Sequence, residues 1–380
     1  MRSFVSLVIE FYMFICVALL VFNILYIFRS KILGRLRGSK EAAWLDEIWE
    51  ESGRLVNGKR PSVDHQRRLE RKLCKVEQLM AYHNAVLTAK EEERIQKYLD
   101  TYAPTFQLLA AKYSKRSAME RAFYAHVMSV YHPARDTRSC RQLIEILLTY
   151  FEDSTVFCRE NVLQALCAFG SVGAVERAFH LMNRQGWYHH SRLLSDGLMS
   201  FAGDRKALCR RLWKKCGDWA DSFQVAVVQF AANLSDEFAE EFLVALKAPD
   251  CPTETKFALI RYFQRHRYEP AYSTLVGFLK PEKVDEGGLA IAAASALANY
   301  PGSETQGILM NAIHSRNWYV RKNAASALIA LGVGEAELEK LRGTGDRYAA
   351  EMLEYVLGKE SQKALITEKG TPVLAAEVSA

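Results

Sequence analysis

The side chains best suited to chemistry in this sequence are arginines set among aromatic residues. Residues 261–268 read RYFQRHRY, and a Trp-Tyr pair follows at residues 318–319. Arginine and aromatic side chains are enriched at the strongest positions of protein–protein interfaces. We therefore predict a partner-binding site made of Arg261, Tyr262, Arg265, Arg267, Trp318 and Tyr319. Packing of the aromatic side chains in the core explains the pattern equally well.

A second group of cations lies in residues 205–216, which read RKALCRRLWKKC. Lys206, Arg210 and Lys214 are spaced by four and share one helix face, while the apolar residues between them turn inward. Such a face can meet anionic lipid headgroups or an acidic partner, and a solvated outer face is the alternative. The predicted basic face comprises Lys206, Arg210, Arg211, Lys214 and Lys215.

The sequence lacks the motifs of common catalytic sites. It contains no H-E-x-x-H, G-x-S-x-G, P-loop or G-x-G-x-x-G sequence. His189 and His190 are adjacent but have no further ligands at fixed spacing, so they do not indicate a metal site. Glu240 and Glu241 point to different sides of a helix and cannot form a facing acid–base pair. We predict a non-enzymatic protein without cofactor, metal or small-molecule substrate.

The net charge of +6 is concentrated at the N-terminus. Residues 1–40 hold six basic residues and one acidic residue, which leaves a charge of only +1 for the remaining 340 residues. A nearly neutral body is a poor electrostatic match for nucleic acid, so we predict no nucleic-acid partner. The eight cysteines form no C-x-x-C pair and sit mostly at apolar helical positions, which is typical of free thiols in a reducing compartment.

The elements that must position these residues begin with an apolar segment at the N-terminus. Residues 11–28 read FYMFICVALLVFNILYIF, with Asn23 as the one strongly polar member. As a helix this run spans about 27 Å, close to the thickness of a bilayer core. We predict a transmembrane anchor in residues 1–30. A cleaved signal peptide is the weaker alternative, because the run is long and no small-x-small cleavage site follows.

The basic residues beside this segment predict its orientation. Arg29, Lys31, Arg35 and Arg37 follow the apolar run, whereas one arginine precedes it. Because cytoplasmic flanks carry the excess of Lys and Arg, we expect a single-pass protein with its N-terminus outside and its C-terminal part in the cytoplasm. Residues 31–136 then form a basic juxtamembrane segment and a charged helical neck.

Within the neck, two helices are separated by a break at residues 58–61. Ser62 is a suitable N-cap for the second helix. That helix shows heptad spacing, which predicts either packing against its neighbour or self-association. The heptad positions are Leu69, Leu73, Val76, Met80, His83 and Leu87.

From residue 137 the chain repeats. Residues 158–170 read CRENVLQALCAFG, and residues 320–332 read VRKNAASALIALG; the two segments share Arg, Asn, Ala, Leu and Gly at matched positions. Weaker copies between them give steps of 31 to 34 residues, with a shorter helix predicted before each copy. The matched apolar positions are Leu166, Leu198, Phe230, Phe263, Leu297 and Leu328.

This pattern resembles the HEAT-repeat family, whose second helix typically reads D-x-x-x-x-V-R-x-x-A-x-x-A-L-x-x-L-G. Residues 315–332, SRNWYVRKNAASALIALG, match it best, although Ser315 replaces the Asp. The resemblance implies an all-α fold, with an α-solenoid of about six to seven HEAT-like helix pairs over residues 137–358. It also implies that the second helices line a concave surface and that Arg159 and Arg321 brace adjacent repeats. We expect residues 359–380 to be a disordered tail.

These observations favour a membrane-anchored cytoplasmic scaffold or adaptor that binds protein partners. An accessory subunit of a membrane complex, such as a polysaccharide synthase or exporter, is a sharper alternative. A HEAT-like lyase or nucleic-acid-binding protein is a third, disfavoured by the neutral body and the anchor. The fold family alone does not choose among them.

Overall fold

The computed structural model describes residues 2–90, 92–131, 138–280, 288–333 and 346–369, and within these ranges the regular elements are all helices. The predicted all-α class is therefore confirmed for the described chain. The α-helices are α1 (Arg2–Val56), α2 (Val63–Lys72), α3 (Val76–Ala89), α4 (Glu93–Thr101), α5 (Ala103–Tyr113), α6 (Ala118–Tyr131), α7 (Arg138–Thr149), α8 (Val156–Phe169), α9 (Val172–Arg184), α10 (Ser191–Met199), α11 (Arg205–Trp213), α12 (Asp221–Ala232), α13 (Ala239–Lys247), α14 (Thr253–Arg265), α15 (Tyr272–Gly277), α16 (Gly288–Ala296), α17 (Ser303–Ala312), α18 (Trp318–Ala330) and α19 (Arg347–Lys369).

Helix α1 is one continuous helix of 55 residues. It contains the apolar segment, the basic juxtamembrane segment and the first neck helix, which were predicted from the sequence as separate parts. No proline occurs before Pro61, and the helix ends just before Gly58, whose φ of 71° is left-handed. In residues 9–28 the large apolar side chains other than Ile15 are exposed, and this part of α1 is long and apolar enough to cross a membrane.

The C-terminal part of α1 packs against α3 and α4. Trp44, Ile48 and Leu55 are buried there, and the Trp44 indole N–H donates to Oε1 of Gln78 at 3.0 Å. These contacts attach α1 to the first of two units into which the chain divides, Met1–Leu181 with Ser200–Gly203. The second unit comprises Met182–Met199 and Asp204–Ala380.

The heptad pattern of the neck does not form one helix, so that prediction is wrong. Residues 73–75 separate α2 from α3. The bend changes the direction that later side chains face, and Met80 and Leu87 are consequently exposed. The predicted N-cap is present, since Ser62 Oγ accepts from the His65 N–H at 3.3 Å.

In the second unit, alternate helices pack on one another. Helix α12 contacts α10 and α14, α16 contacts α14 and α18, and α18 contacts α19. The shorter helices α11, α13 and α17 each pack against the helix that follows. All six matched apolar positions of the repeat are fully buried, including Leu166 in the first unit and Leu328 in the second.

The segment predicted to be a disordered tail begins in a helix, because residues 359–369 belong to α19. Residue 137 lies outside the described residues, and α19 continues to Lys369, past the predicted start of the tail at residue 359. Residues 370–380 lie outside the described residues. All eight cysteines are described, and no disulfide joins any two of them. Burial raises the pKa of Cys167 and of Cys216 to about 12, so both thiols stay protonated.

Candidate functional site

Helix α14 carries three of the six predicted partner-binding residues, of which two are exposed and one is buried. Arg261 and Arg265 are exposed on successive turns. Tyr262 has 0% exposure, donates its hydroxyl hydrogen to the Ser235 carbonyl at 3.0 Å and packs edge-on against Phe242. The prediction of Tyr262 as a partner-binding residue is therefore wrong: it is part of the core, and burial raises the pKa of its hydroxyl.

The other two arginines of this segment are already engaged. Arg265 Nη1 donates to Oδ1 of Asn233 at 2.5 Å, which directs its guanidinium toward the end of α12. Arg267 lies beyond the end of α14 and forms an ion pair with Glu269. Arg261, by contrast, faces solvent and has neither a side-chain hydrogen bond nor an ion pair with any described residue.

Trp318 and Tyr319 form the first turn of α18. Asn317 caps this helix, because its Oδ1 accepts from the Tyr319 N–H at 2.9 Å. The two rings are 41% and 59% exposed, with centroids 5.0 Å apart. Helices α14 and α18 each pack against α16, so the predicted site is divided between two helices that share a neighbour.

The predicted basic face of α11 is partly neutralised. Lys206 and Arg210 both form ion pairs with Glu237, and the hydrogen bond from Lys206 holds the pKa of Glu237 below its usual value. Helix α11 also ends at Trp213, so Lys214 and Lys215 lie past its last turn. Sequence reasoning missed Glu237 because it is 27 residues from Arg210. Arg211, Lys214 and Lys215 remain exposed.

The basic residues that flank the apolar segment all lie on α1. Arg29, Lys31, Arg35 and Arg37 are exposed along its middle part, between the exposed apolar residues and the buried packing side chains. Within the apolar run, the Asn23 amide donates to the Leu19 carbonyl of the same helix at 2.9 Å. This hydrogen bond uses part of the hydrogen-bonding capacity of the Asn23 side chain within α1, without a second helix.

The two arginines that the repeat copies share occupy equivalent places. Arg159 Nη1 donates to the Ser154 carbonyl, and Arg321 Nη1 donates to the Ser315 carbonyl, both at 2.8 Å. Each arginine therefore fixes the loop that leads into its own helix. Arg321 also lies over the ring of Tyr348 in α19, at 5.5 Å from its centroid.

A buried polar cluster where α1 meets α2 and α4 was not predicted. Glu51 is 3% exposed, and its Oε1 accepts from the Ser62 N–H at 2.8 Å and from the Tyr102 hydroxyl at 2.7 Å. Arg54 lies 3.5 Å from the other carboxylate oxygen. The signal in the sequence was weak: a glutamate on the helix face that also carries Ile48 and Leu55.

Histidine and tyrosine side chains extend this cluster into α3. His65 Nε2 lies 2.9 Å from the Tyr98 hydroxyl, which lies 2.9 Å from the Tyr82 hydroxyl. Burial lowers the pKa of His65, although the carboxylates of Glu51 and Glu47 oppose that shift. A neutral imidazole can donate and accept in this chain of hydrogen bonds. The cluster therefore links α1, α2, α3 and α4 by polar contacts.

Comparisons with known proteins give no further assignment: no protein-family model matches this chain, and a search of curated proteins finds no similar one. Within the described ranges, no group of three His, Cys, Asp or Glu side chains is arranged to hold a metal ion. The exposed side chains of the predicted partner site on these helices are Arg261 and Arg265 of α14 and the rings of Trp318 and Tyr319 of α18.

Proposed function

We propose that this protein is a membrane-anchored scaffold whose helical body binds a protein partner at the cytoplasmic face of the membrane, without catalysing a reaction. The observation that carries the proposal is the construction of α1. Its residues 9–28 expose an apolar surface, and its residues 44–55 are packed in the body. One element thus belongs both to an anchor and to a folded unit.

The helical connection between these two parts supports a scaffold rather than a loosely tethered domain. Trp44 follows Phe28 by sixteen residue steps of unbroken helix, which corresponds to about 24 Å. A helix of this kind acts as a semi-rigid spacer, whereas a Gly/Ser-rich linker would act as a random coil. The body would therefore be held at a set distance from the bilayer.

Hydrogen bonds of constant sequence separation support the HEAT-like solenoid part of the proposal. In the second unit, Thr255 bonds to Gln224 across 31 residues, Gln264 to Ser295 across 31, and Asn323 to Ile291 across 32. These separations match the 31- to 34-residue steps of the repeat. Stacked helix pairs make contacts of this kind because each repeat touches its neighbours in the same way.

The expected orientation rests on the charges beside the anchor. Four exposed cations follow the apolar part of α1, which favours a cytoplasmic body under the positive-inside rule. The free, mostly buried cysteines agree with a reducing compartment.

The test uses the full chain expressed in membranes. We expect it to sediment with membranes in alkaline carbonate, to require detergent for release, and to carry a stoichiometric protein partner after in-membrane crosslinking. Reversal of two exposed charges, R261E with R265E, should remove the partner, whereas K247E on α13 should retain it. Release by carbonate would refute the anchor, and purification of the crosslinked chain alone would refute the scaffold.

A further inference from the structure

In the second unit, one face of α14 is joined by polar contacts to both neighbouring helices of the same layer. Arg261, Gln264 and Arg265 share this face because they are three and four residues apart. Gln264 Nε2 donates to Ser295 Oγ of α16 at 3.0 Å, and Arg265 donates to Asn233 at the end of α12. The face therefore borders both α12 and α16 and remains partly exposed.

The same surface continues from α16 onto α18. Ile291 and Ser295 are one helical turn apart on α16, and the Asn323 amide donates to the Ile291 carbonyl at 2.9 Å. Lys322 precedes Asn323, and Tyr319 lies one turn earlier on the exposed side of α18. We call this surface the α14–α18 strip and define it by Arg261, Gln264, Arg265, Ser295, Lys322 and Asn323.

The charges of the α14–α18 strip have one sign. Helix α16 reads GLAIAAASA and α18 reads WYVRKNAASALIA, so neither contains an acidic residue. The acid of α14, Glu254, lies in its first turn, about 10 Å along the axis from Arg261. Among the described residues, neither Arg261 nor Lys322 forms an ion pair, unlike Lys206, Arg210 and Arg267 elsewhere in this unit.

We propose that the α14–α18 strip binds an extended acidic segment of a protein partner, a refinement that rests on the proposed scaffold function. Neighbouring helices lie about 8–10 Å apart, so Arg261 and Lys322, two helices apart, are separated by about 16–20 Å. An extended chain rises about 3.3 Å per residue, so carboxylates about six residues apart would meet both cations. Ala292 and Ser295, the half-buried residues of α16 that follow Ile291, have small side chains, and exposed Tyr319 offers an aromatic contact.

A synthetic peptide tests the strip directly. The probe is a fluorescein-labelled eight-residue peptide with two glutamates at each end and a tyrosine between them, titrated with the full chain in a non-ionic detergent. We expect saturable binding that weakens about tenfold in R261E/K322E, because two attractive contacts become repulsive. The matched control is R184E/K247E, which changes the net charge equally at exposed residues outside the strip and outside the predicted basic face, and should bind within about twofold of the native chain.

Several results of this titration would overturn the proposal. Equal losses in R261E/K322E and R184E/K247E would show that only net charge matters, and equal binding of a lysine version of the peptide would show no charge selectivity. Tighter binding of a twenty-residue oligothymidylate than of the acidic peptide would assign the strip to nucleic acid. If R261E/K322E does not fold by circular dichroism, R261Q/K322Q takes its place and should lose about threefold. A partner recovered by crosslinking together with no peptide binding would refute the strip and leave the scaffold standing.

Discussion

Glu51 is the residue whose substitution should most clearly weaken the attachment of α1 to the body. Its buried carboxylate accepts from Ser62 N–H and from the Tyr102 hydroxyl, and hydrogen bonds to a buried charge are stronger than neutral ones. We expect E51Q to lower the free energy of unfolding by about 2 kcal/mol, measured by denaturant titration in detergent. E50Q, which makes the same change at an exposed position one residue away, should shift it by less than about 0.5 kcal/mol. Equal shifts would contradict the role of the cluster.

His83 should make stability fall in mild acid. Burial, with help from nearby His126 and Lys90, lowers its pKa to about 4 from an ordinary value near 6.5. The unfolded chain therefore binds a proton between these two values while the folded chain does not, and stability is lost as the pH falls from about 6.5 toward 4. We expect H83Q to lose about 2 kcal/mol less than the native chain between pH 7 and pH 5 in thermal melts. H180Q, at an exposed histidine, should follow the native curve.

At the scale of single residues, the sequence predicted which side chains are exposed better than it predicted the residues they contact. RYFQRHRY correctly marked exposed Arg261 and Arg265, but the adjacent Tyr262 turned inward, since neighbours on a helix are about 100° apart. The alternative of core packing is the one that holds for Tyr262. Glu237 and Glu51 act through contacts with residues far away in sequence, Lys206 and Tyr102 among them. A local sequence pattern does not predict contacts between residues so far apart in the chain.

At the scale of elements, the glycines that follow α8 and α18 offer a matched comparison. Gly170 and Gly332 have left-handed φ values of 70° and 69°, where a Cβ costs about 1 kcal/mol. A Cβ at Gly170 would also lie 3.3 Å from the Gly203 nitrogen, whereas one at Gly332 would have no atom of a described residue within 4 Å. We expect G332A to lose about 1 kcal/mol of unfolding free energy and G170A about 2 kcal/mol, by denaturant titration. A larger loss in G332A would show that the contact with residues 202–203 is not tight.

Helices were predicted well where burial and capping agree. Thr155 and Asn317 cap α8 and α18, and glycines follow both helices, so these two repeat copies were visible in the sequence. The neck was harder, because a heptad spacing continues through residues 73–75 even though the backbone bends there. Periodicity records which residues are apolar, and it does not report a change in helix direction.

At the scale of the whole molecule, α1 sets how the body meets the membrane under the proposed function. A continuous helix transmits the direction of its apolar part to the packed part through Trp44 and Ile48. The sequence predicted the apolar run and its basic flank but not their continuity with the neck. Basic flanks are equally compatible with a loop and with a helix, and here the absence of proline and the good helix formers favour the helix.

The basic flank should decide which side of the membrane holds the body. Orientation responds to Lys and Arg within about 15–20 residues of an apolar span. Reversal of Arg29, Lys31, Arg35 and Arg37 to glutamate should therefore place the body outside in most molecules. In sealed vesicles with the cytoplasmic face outward, protease should digest the native body and spare the variant.

The control reverses four exposed cations about 30 residues or more beyond the span, K59E/R67E/R71E/K75E, and should remain digestible. Protection of the native body, or digestion of both variants, would contradict the assignment of orientation to this flank.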